Sequence, residues 1–553
     1  MSVERSSTRE PNPCSVGEGR RESPSQQSEA AHRSGGVSVV GMSGAGVGVS
    51  QEISGHREPQ GTQPAEQAAI NREAVGVVRE VGVLRSSVEA RDSTTRAEPR
   101  EGTCVEANQS GEGPDDGWEQ RLSLLARITT PPKVRKLQRA LYRKAKAEPK
   151  YRFYSLYGEL SRRDILDTAL NLVIRNGGCA GVDGQEIQDV LGPEESRRTA
   201  WLQALATELK TKQYRPEAVR RVYIPKGNGQ QRPLGIPTVK DRVVQAAAML
   251  VLLPIFEADM HPQSYAYRPG KNAHQAMSAI VEAISRGNFE VIDADLSGYF
   301  DSIPHAELMA LVARRVSDGA MLALIRSWLE APIEEQDPRT GQRRRWRNGC
   351  GTPQGGVISP LLANLYLNGL DWAVNERCEL KPTMVRYADD FVILCRKGQG
   401  TGLLTRLKQW LQARGLKLNE AKTRLVDIRQ EGIKFLGFSV NWRRSKRHWS
   451  AYAHVEPHHK SQQKLRDQLQ ERLNHWTQHE PETEVIKKLN RLLKGWHGYF
   501  RFGNPSHVFG KLQYYANNKV RQWLWRRHGC TRGKYKHYSN ARLQGPYRLF
   551  QLA

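Results

Sequence analysis

The chain has 553 residues, and its 84 lysines and arginines against 58 aspartates and glutamates give a formal net charge of +26. This length allows several domains, and so large an excess of positive charge is typical of proteins that bind a polyanion, most often nucleic acid. The seven cysteines form no CxxC pair, and the longest apolar stretch, Val243 to Phe256, is interrupted and too short to cross a bilayer. The composition therefore argues against a disulfide scaffold, a zinc-binding protein and a membrane-spanning protein, and it predicts a soluble, cytoplasmic one.

The charge is distributed unevenly along the chain. Residues 1–120 carry a net negative charge, whereas residues 485–553 contain 15 lysines and arginines and no acidic residue. We therefore expect the strongest nucleic-acid-binding surface near the C-terminus. Residues 1–125 lack Phe and Tyr and are rich in Ser, Gly, Glu and Gln, so they bury too little apolar surface to offset the entropy of ordering and are predicted to be disordered. A misassigned start codon is the alternative explanation of this segment.

Helices are predicted at the start of the ordered part of the chain, after Pro131. A basic amphipathic helix runs from Lys133 to Ala147, and a second helix follows Ser161, with apolar residues at helical spacing. Mixed strands and helices are predicted from there to about Val440.

A hairpin is predicted around the sequence Gly227-Asn228-Gly229. Residues 221–226 would form the first strand, and residues 231–237 the returning one. Lys226 and Arg232 flank the turn, where two cations could grip a triphosphate. Solvated loop charges are the more common explanation of such a pair.

Residues 289–296 alternate between apolar and other side chains as a β-strand does, and this places Asp293 and Asp295 on one face. Two carboxylates on the same face of a strand that is apolar enough to be buried are costly unless a cation is bound. A strand with a solvent-facing edge is the alternative. We favour a metal site, with Asp295 nearer the end of the strand.

A glycine-rich loop at residues 351–356 precedes a helix that begins near Ser359-Pro360. Its glycines would let the backbone approach a ligand closely. Just upstream, Arg343, Arg344 and Arg345 suit contact with a phosphate backbone, and a flexible charged loop is an equally natural interpretation of that stretch.

The sequence Tyr387-Ala388-Asp389-Asp390 lies between two apolar runs. It predicts a strand, a tight turn and a second strand, with two adjacent carboxylates at the tip. Adjacent carboxylates raise the cost of ionising one another unless a cation is present. This stretch alone favours a divalent-metal site and a polar hairpin turn about equally.

Three helices are predicted after Val440, over roughly residues 461–475, 483–497 and 507–526. Together they would form a small bundle whose outer faces are basic and carry Trp, Tyr and His, a composition suited to single-stranded or structured RNA. Aromatic residues at these spacings more often lie in a core, so the absence of acidic residues is the stronger signal.

Taken together, these stretches resemble the reverse transcriptases encoded by group II introns, which also act as maturases. The similarity extends from about Pro131 to about Gly529 and keeps the motifs of the family in order. Its parts are residues 180–184, 232–237, 293–301, 351–360, 387–390 and 432–438, and the run from Leu489 to Phe500. The YxDD sequence alone is a modest signal, whereas this order of motifs with the C-terminal bundle is a specific one.

The resemblance implies an α+β fold of the right-hand polymerase type. Residues 126–285 would form N-terminal helices and the fingers, and residues 286–440 the palm with its antiparallel sheet. Residues 441–530 would form an α-helical thumb that is also the maturase domain. A short basic tail would cover residues 531–553.

The resemblance also implies roles for individual residues. Asp295, Asp389 and Asp390 would hold two Mg²⁺ ions and catalyse nucleotidyl transfer, with Asp293 at most in a supporting role. The residues implied for binding the incoming nucleotide are Lys226, Arg232, Phe300, Gln354 and Lys422, of which Phe300 would exclude a ribose 2′-hydroxyl and Lys422 would protonate pyrophosphate. The residues implied for gripping the primer are Phe435, Leu436 and Gly437. RNA contacts are expected from Arg343, Arg344, Arg345, Lys494, Trp496, Arg526 and Arg527.

The function implied by the resemblance is that of an RNA-directed DNA polymerase that binds its own intron RNA and assists splicing. It would copy the intron at a DNA target, a process called retrohoming, using dNTPs and a primed RNA template. The alternatives are a splicing-only maturase with a vestigial polymerase site, and a reverse transcriptase of the retron or diversity-generating type. Many relatives continue into an endonuclease with paired zinc cysteines, and this chain has no such pair. We therefore expect an endonuclease-lacking member, primed from a replication fork or another nick.

Overall fold

The structure is a computed structural model that describes residues 130–192, 195–225, 231–337, 339–445 and 448–552. The predicted disorder of residues 1–125 and the predicted nucleotide contact of Lys226 lie outside the described residues. The described chain has an α+β fold, as the sequence predicts, with three sheets and a helical C-terminal region.

Helices and strands follow one another in irregular order along the described residues. The helices are α1 (Pro132–Ala147), α2 (Arg163–Asn176), α3 (Ile187–Leu191), α4 (Glu195–Lys210), α5 (Val239–Glu257), α6 (Ala273–Ser285), α7 (Tyr299–Ser302), α8 (His305–Ala313), α9 (Gly319–Leu329), α10 (Ser359–Asn375), α11 (Gly400–Gln412), α12 (His459–Arg472), α13 (Glu482–Phe500), α14 (Ser506–Arg527), α15 (Lys534–His537) and α16 (Asn540–Gln544). The strands are β1 (Val219–Pro225), β2 (Gln231–Ile236), β3 (Glu290–Ala294), β4 (Ile333–Gln336), β5 (Arg343–Trp346), β6 (Thr383–Tyr387), β7 (Asp390–Cys395), β8 (Arg424–Asp427), β9 (Ile433–Phe435), β10 (Phe438–Arg444) and β11 (Ala451–Pro457).

A four-stranded antiparallel sheet, in the order β6-β7-β3-β8, separates two hydrophobic cores. Its strands are apolar on both faces because each face covers one of the cores. In β3, Ile292 belongs to the first core and Val291 to the second, and in β7 Ile393 and Val392 divide in the same way. The alternation predicted for residues 289–296 is therefore present, although the strand itself is shorter than predicted.

Helices form most of the first core. α5 supplies much of its interior, because this helix is apolar nearly all round and almost entirely buried. The apolar stretch Val243 to Phe256 is thus part of a core helix, and no helix among the described residues is long and apolar enough to cross a membrane. Beside this core, β1 and β2 form the predicted hairpin in a second sheet, in the order β2-β1-β4-β5.

The second core lies between the other face of the central sheet and the C-terminal helices α12, α13 and α14, whose bounds agree closely with the prediction. It also includes residues of the three-stranded sheet β11-β10-β9. Two of the predicted domain boundaries, after residues 440 and 530, fall within this region. Residue 440 lies within β10, so a division there would cut a strand. The residues predicted as a separate tail contribute the buried side chains Tyr538, Leu543, Leu549 and Leu552.

Candidate active site

The predicted hairpin between β6 and β7 is present, and it carries Asp389 and Asp390 at its tip. Tyr387 pairs with Asp390, which leaves Ala388 and Asp389 as a two-residue turn. Ala388 has a φ of +62°, a left-handed conformation that is costly for a residue with a Cβ atom. Contacts with the surrounding structure must therefore hold the turn in place.

Arg386 supplies such a contact from the strand before the turn. Its side chain and that of Asp371 on α10 are both 0% exposed, and Arg386 Nη2 lies 2.6 Å from Asp371 Oδ2. Arg386 Nη1 also donates to Asn364 Oδ1 at 2.8 Å and to the carbonyl oxygen of Ala388 at 3.0 Å. The ion pair thus anchors the turn to α10. Sequence reasoning missed it, because nothing local distinguishes Arg386 from a surface arginine.

Asp295 lies one residue beyond the end of β3, the strand that pairs with β7. Its Oδ2 accepts hydrogen bonds from Lys422 Nζ at 2.9 Å and from Asn419 Nδ2 at 3.1 Å. Asp293, two residues earlier, forms an ion pair with Arg424 Nη2 at 3.3 Å. The two carboxylates predicted to share a face therefore have different partners, which is consistent with a supporting role for Asp293.

The carboxylates near the ends of β3 and β7 act on one another electrostatically. The pKa of Asp390 is raised to about 6, mainly because of burial and next because of the charge of Asp389, although the side chain is partly open to solvent. Asp295 and Asp293 add to this rise. Burial also raises the pKa of Asp389, and Asp295 adds to that rise while two nearby arginines, one of them Arg232, oppose it. Mutual repulsion of this kind favours the binding of a cation between the groups.

The chemistry of these residues fits a magnesium site. Carboxylate oxygens are ligands that Mg²⁺ prefers, and proteins usually hold this ion through one or two carboxylates together with substrate phosphates. In the described part of the chain, no group of three or more carboxylate, imidazole or thiolate side chains is arranged to hold one ion, and this includes Asp295, Asp389 and Asp390. Lys422 supplies the positive charge next to Asp295 in this structure. Electrostatics thus support the metal site, while ligation by these three aspartates stays a prediction.

We expect the affinity of the protein for Mg²⁺ to fall as the pH is lowered through about 6. Asp390 takes up a proton in this range because its pKa is raised to about 6, and the proton must leave before the carboxylate can bind a cation. Below this pH the affinity should fall by up to about tenfold per pH unit. Calorimetric titration with Mg²⁺ at several pH values measures the effect. The Asp390→Asn variant should lose it, and a wild-type affinity that does not change around pH 6 would contradict the prediction.

Among the residues implied for binding the incoming nucleotide, Lys422 donates to Asp295, and Lys226 lies outside the described residues. Arg232 is exposed on β2 and acts electrostatically on Asp389. Phe300 is half-buried beside Tyr299, with their ring centroids 5.5 Å apart. Contact of Arg232 and Phe300 with a nucleotide stays a prediction.

The glycine-rich loop approaches the backbone of the protein itself at two of its glycines, and its close approach to a ligand stays a prediction. A Cβ atom added at Gly351 would lie 2.6 Å from the carbonyl oxygen of Phe300, and one at Gly355 would clash with the carbonyl oxygen of Gly235. The loop thus lies against β2 at Gly355 and against α7 at Gly351. Gln354 Nε2 donates to Asp301 Oδ2 at 3.0 Å, and its contact with a nucleotide stays a prediction.

Tyr267 lies near the carboxylates and was missed by sequence reasoning. Its φ is +56°, and burial together with the charge of Asp389 raises its pKa to about 12. Strained backbone of this kind is concentrated at functional sites. The only sequence signal is its position before Arg268-Pro269-Gly270, which by itself predicts a turn.

The turn predicted to grip a primer is present between β9 and β10, and Leu436 and Gly437 both have a positive φ. Tyr499 Oη donates to the carbonyl oxygen of Leu436 at 3.1 Å, and the backbone N–H of His458 donates to that of Gly437 at 2.9 Å. Phe435 is 4% exposed and belongs to the second core. Its side chain therefore supports the turn from inside, and the grip of this turn on a primer stays a prediction.

The residues predicted to contact RNA divide into exposed ones and ones with structural contacts. Trp496 is buried and packs against Phe500, and Arg527 donates to the carbonyl oxygens of Gln478 and Glu480. Both side chains therefore stabilise the bundle. The burial of Trp496 corrects its predicted contact with RNA, whereas that of the partly exposed Arg527 stays a prediction. Contact with RNA stays a prediction for the exposed residues Lys494, Arg526, Arg343, Arg344 and Arg345.

Comparison with known proteins places two matches along the chain. Residues 224–440 match the family model of the reverse transcriptase (RNA-dependent DNA polymerase), and residues 462–541 match that of the group II intron, maturase-specific domain. Protein YkfC of Escherichia coli (strain K12) is 34% identical over 353 residues, which cover 57% of this chain and 90% of YkfC. Group II intron-encoded protein LtrA of Lactococcus lactis subsp. cremoris is 28% identical over 360 residues, which cover 53% of this chain and 57% of LtrA. The match thus spans little more than half the length of LtrA.

A solved structure of telomerase from Candida albicans, in complex with a fragment of telomeric RNA, is similar at 13% sequence identity and a TM-score of 0.33. The similarity covers 62% of this chain and 66% of that one. At this TM-score it supports no argument about partners or mechanism.

Proposed function

We propose a function for this chain, which belongs to the family of group II intron reverse transcriptases and maturases. It binds the RNA of its own intron, assists the splicing of that RNA and reverse transcribes it at a DNA target. As a member of this family, the chain is an RNA-directed DNA polymerase. The observation that carries the proposal is the electrostatic grouping of Asp295, Asp389 and Asp390 near one end of the central sheet. A protein that only bound RNA would gain nothing from grouping carboxylates at this cost.

The three carboxylates would carry the catalysis. Asp295, Asp389 and Asp390 would hold two Mg²⁺ ions, which when bound lower the pKa of the primer 3′-hydroxyl and balance the charge of the departing pyrophosphate. Lys422 now donates to Asp295. On release from that carboxylate, its ammonium group would be free to donate a proton to the pyrophosphate oxygen.

The incoming nucleotide would be bound by the residues around the carboxylates. The guanidinium of Arg232 would contact the triphosphate, because charge-assisted hydrogen bonds to phosphate are strong. Gln354 would line the pocket, and Phe300 would fill the space that a ribose 2′-hydroxyl requires. This arrangement predicts a preference for dNTPs.

Primer extension and splicing by the full-length protein test the proposal. A DNA primer annealed to an RNA template should be extended in the presence of dNTPs and Mg²⁺, and EDTA should stop the reaction. Intron RNA transcribed from the DNA around the reading frame should bind the protein and splice faster in its presence. Splicing without cDNA would favour the splicing-only alternative, and cDNA without intron binding would contradict the maturase part.

A further inference from the structure

A groove on the C-terminal bundle is lined by cationic and aromatic residues that have no role in the proposed active site. It lies between α12 and α14 and has a volume of about 710 Å³. Its lining includes Arg466, His507, Lys511, Tyr514, Tyr515 and Asn518. None of the residues that line it is acidic. The groove therefore presents cationic groups and aromatic rings together.

The two sides of α14 explain how the groove is formed. Val508, Leu512 and Ala516 recur at every fourth position and are buried in the second core. Lys511 and Tyr514 lie on the other side of the helix, because the helical period of 3.6 residues separates the two sets. Lys511 and Tyr514 are thus exposed residues that packing of the bundle does not require, whereas Tyr515 is half-buried and packs against the second core.

The two adjacent tyrosines in the groove have different surroundings. Tyr515 is half-buried, and its ring centroid lies 5.8 Å from the guanidinium of Arg466 and 5.5 Å from Lys519 Nζ. These distances allow cation–π contacts that hold the three side chains together. Tyr514, in contrast, is 65% exposed. A tyrosine this exposed beside fixed cations is typical of a platform on which a nucleic acid base stacks.

We propose that this groove binds an unpaired segment of RNA, with Lys511 and Arg466 contacting phosphates and Tyr514 stacking on a base. The cations favour a polyanion, and stacking on an exposed ring requires a base that is free of a partner strand. Fully paired RNA would contact Lys511 and Arg466 through its phosphates but would offer no unpaired base to stack on Tyr514. The inference rests on the proposed function and names the surface of the bundle that contacts RNA.

Binding of two labelled RNAs by the full-length protein tests the inference. One probe is a hairpin with a large unpaired loop, and the other is a fully paired duplex of the same length. Tyr514→Ala should weaken binding of the hairpin by roughly tenfold to a hundredfold and change binding of the duplex little, whereas Tyr514→Phe should retain most of the affinity. Lys511→Gln should reduce the slope of log affinity against log salt concentration by about one unit.

Matched controls separate this groove from a general surface effect. Trp476 is 80% exposed elsewhere on the bundle, and Lys487 is paired with Glu484 at 3.3 Å. Trp476→Ala and Lys487→Gln should leave binding of the hairpin unchanged. Equal losses in Tyr514→Ala and Trp476→Ala, or equal losses for hairpin and duplex, would overturn the inference. If the wild-type protein bound neither RNA, the RNA-binding part of the proposed function would fail with it.

Discussion

Primer extension is expected to fall by roughly a thousandfold or more when Asp389 is replaced by asparagine, which corresponds to about 4 kcal/mol of activation free energy. The variant keeps the shape of the side chain and removes one of the charges that would bind a cation. Binding of intron RNA should stay close to that of the wild type, because the C-terminal groove lies on another part of the fold. Extension of a labelled primer and binding of labelled RNA measure the two effects separately.

Asp427→Asn is the matched control for this experiment. Asp427 lies on β8 of the same sheet, and its carboxylate is paired with Arg429. Its replacement should leave primer extension almost unchanged, whereas Asp295→Asn should reproduce the loss seen with Asp389→Asn. If Asp389→Asn retained a tenth of the wild-type activity, the assignment of Asp389 as a catalytic ligand would be wrong.

Replacing Arg386 with methionine is expected to lower the free energy of unfolding by about 3–5 kcal/mol, because it leaves the carboxylate of Asp371 buried without a partner. The change also removes the hydrogen bond from Arg386 to the carbonyl oxygen of Ala388. Primer extension should therefore fall even at temperatures where the variant is folded. Denaturant titration measures the stability, and primer extension at low temperature measures the effect on the turn.

A surface ion pair and a double variant serve as controls for Arg386→Met. Arg443 pairs with Glu456 at 3.0 Å on the protein surface, and Arg443→Met should cost less than about 1 kcal/mol. Combining Arg386→Met with Asp371→Leu should restore part of the stability, since no buried charge is then left unpaired. Equal stabilities of Arg386→Met and Arg443→Met would show that the buried pair has no special role.

Local sequence patterns predicted several elements of the fold. The hairpin of Asp389 and Asp390 followed from two apolar runs with turn residues between them, and the three C-terminal helices followed from the spacing of their apolar residues. The position of Asp295 near the hairpin could be expected only from the resemblance to a family. Nothing within residues 289–296 indicates which other strand lies beside them.

What sequence reasoning missed depends on contacts between distant residues. Arg386 and Asp371 are buried because β6 and α10 meet there. Both residues are charged, and charged residues are normally predicted to be exposed. Trp496 and Tyr514 are both aromatic residues on basic helices, yet one belongs to the second core and the other lies in the groove. An amphipathic pattern gives the faces of a helix, and only the packing of its neighbours shows which aromatic side chains remain accessible.

The central sheet is buried on both faces, so the packing of two cores fixes the register of β7 against β3 and with it the position of the hairpin tip. A slip of β7 by one residue against β3 would turn Ile393 toward the helical bundle and Val392 toward the opposite side. Both cores would then be mispacked at once. The same slip would move the aspartates at the tip by one position relative to Asp295. Hydrophobic side chains in two separate cores thus enforce the alignment of the carboxylates.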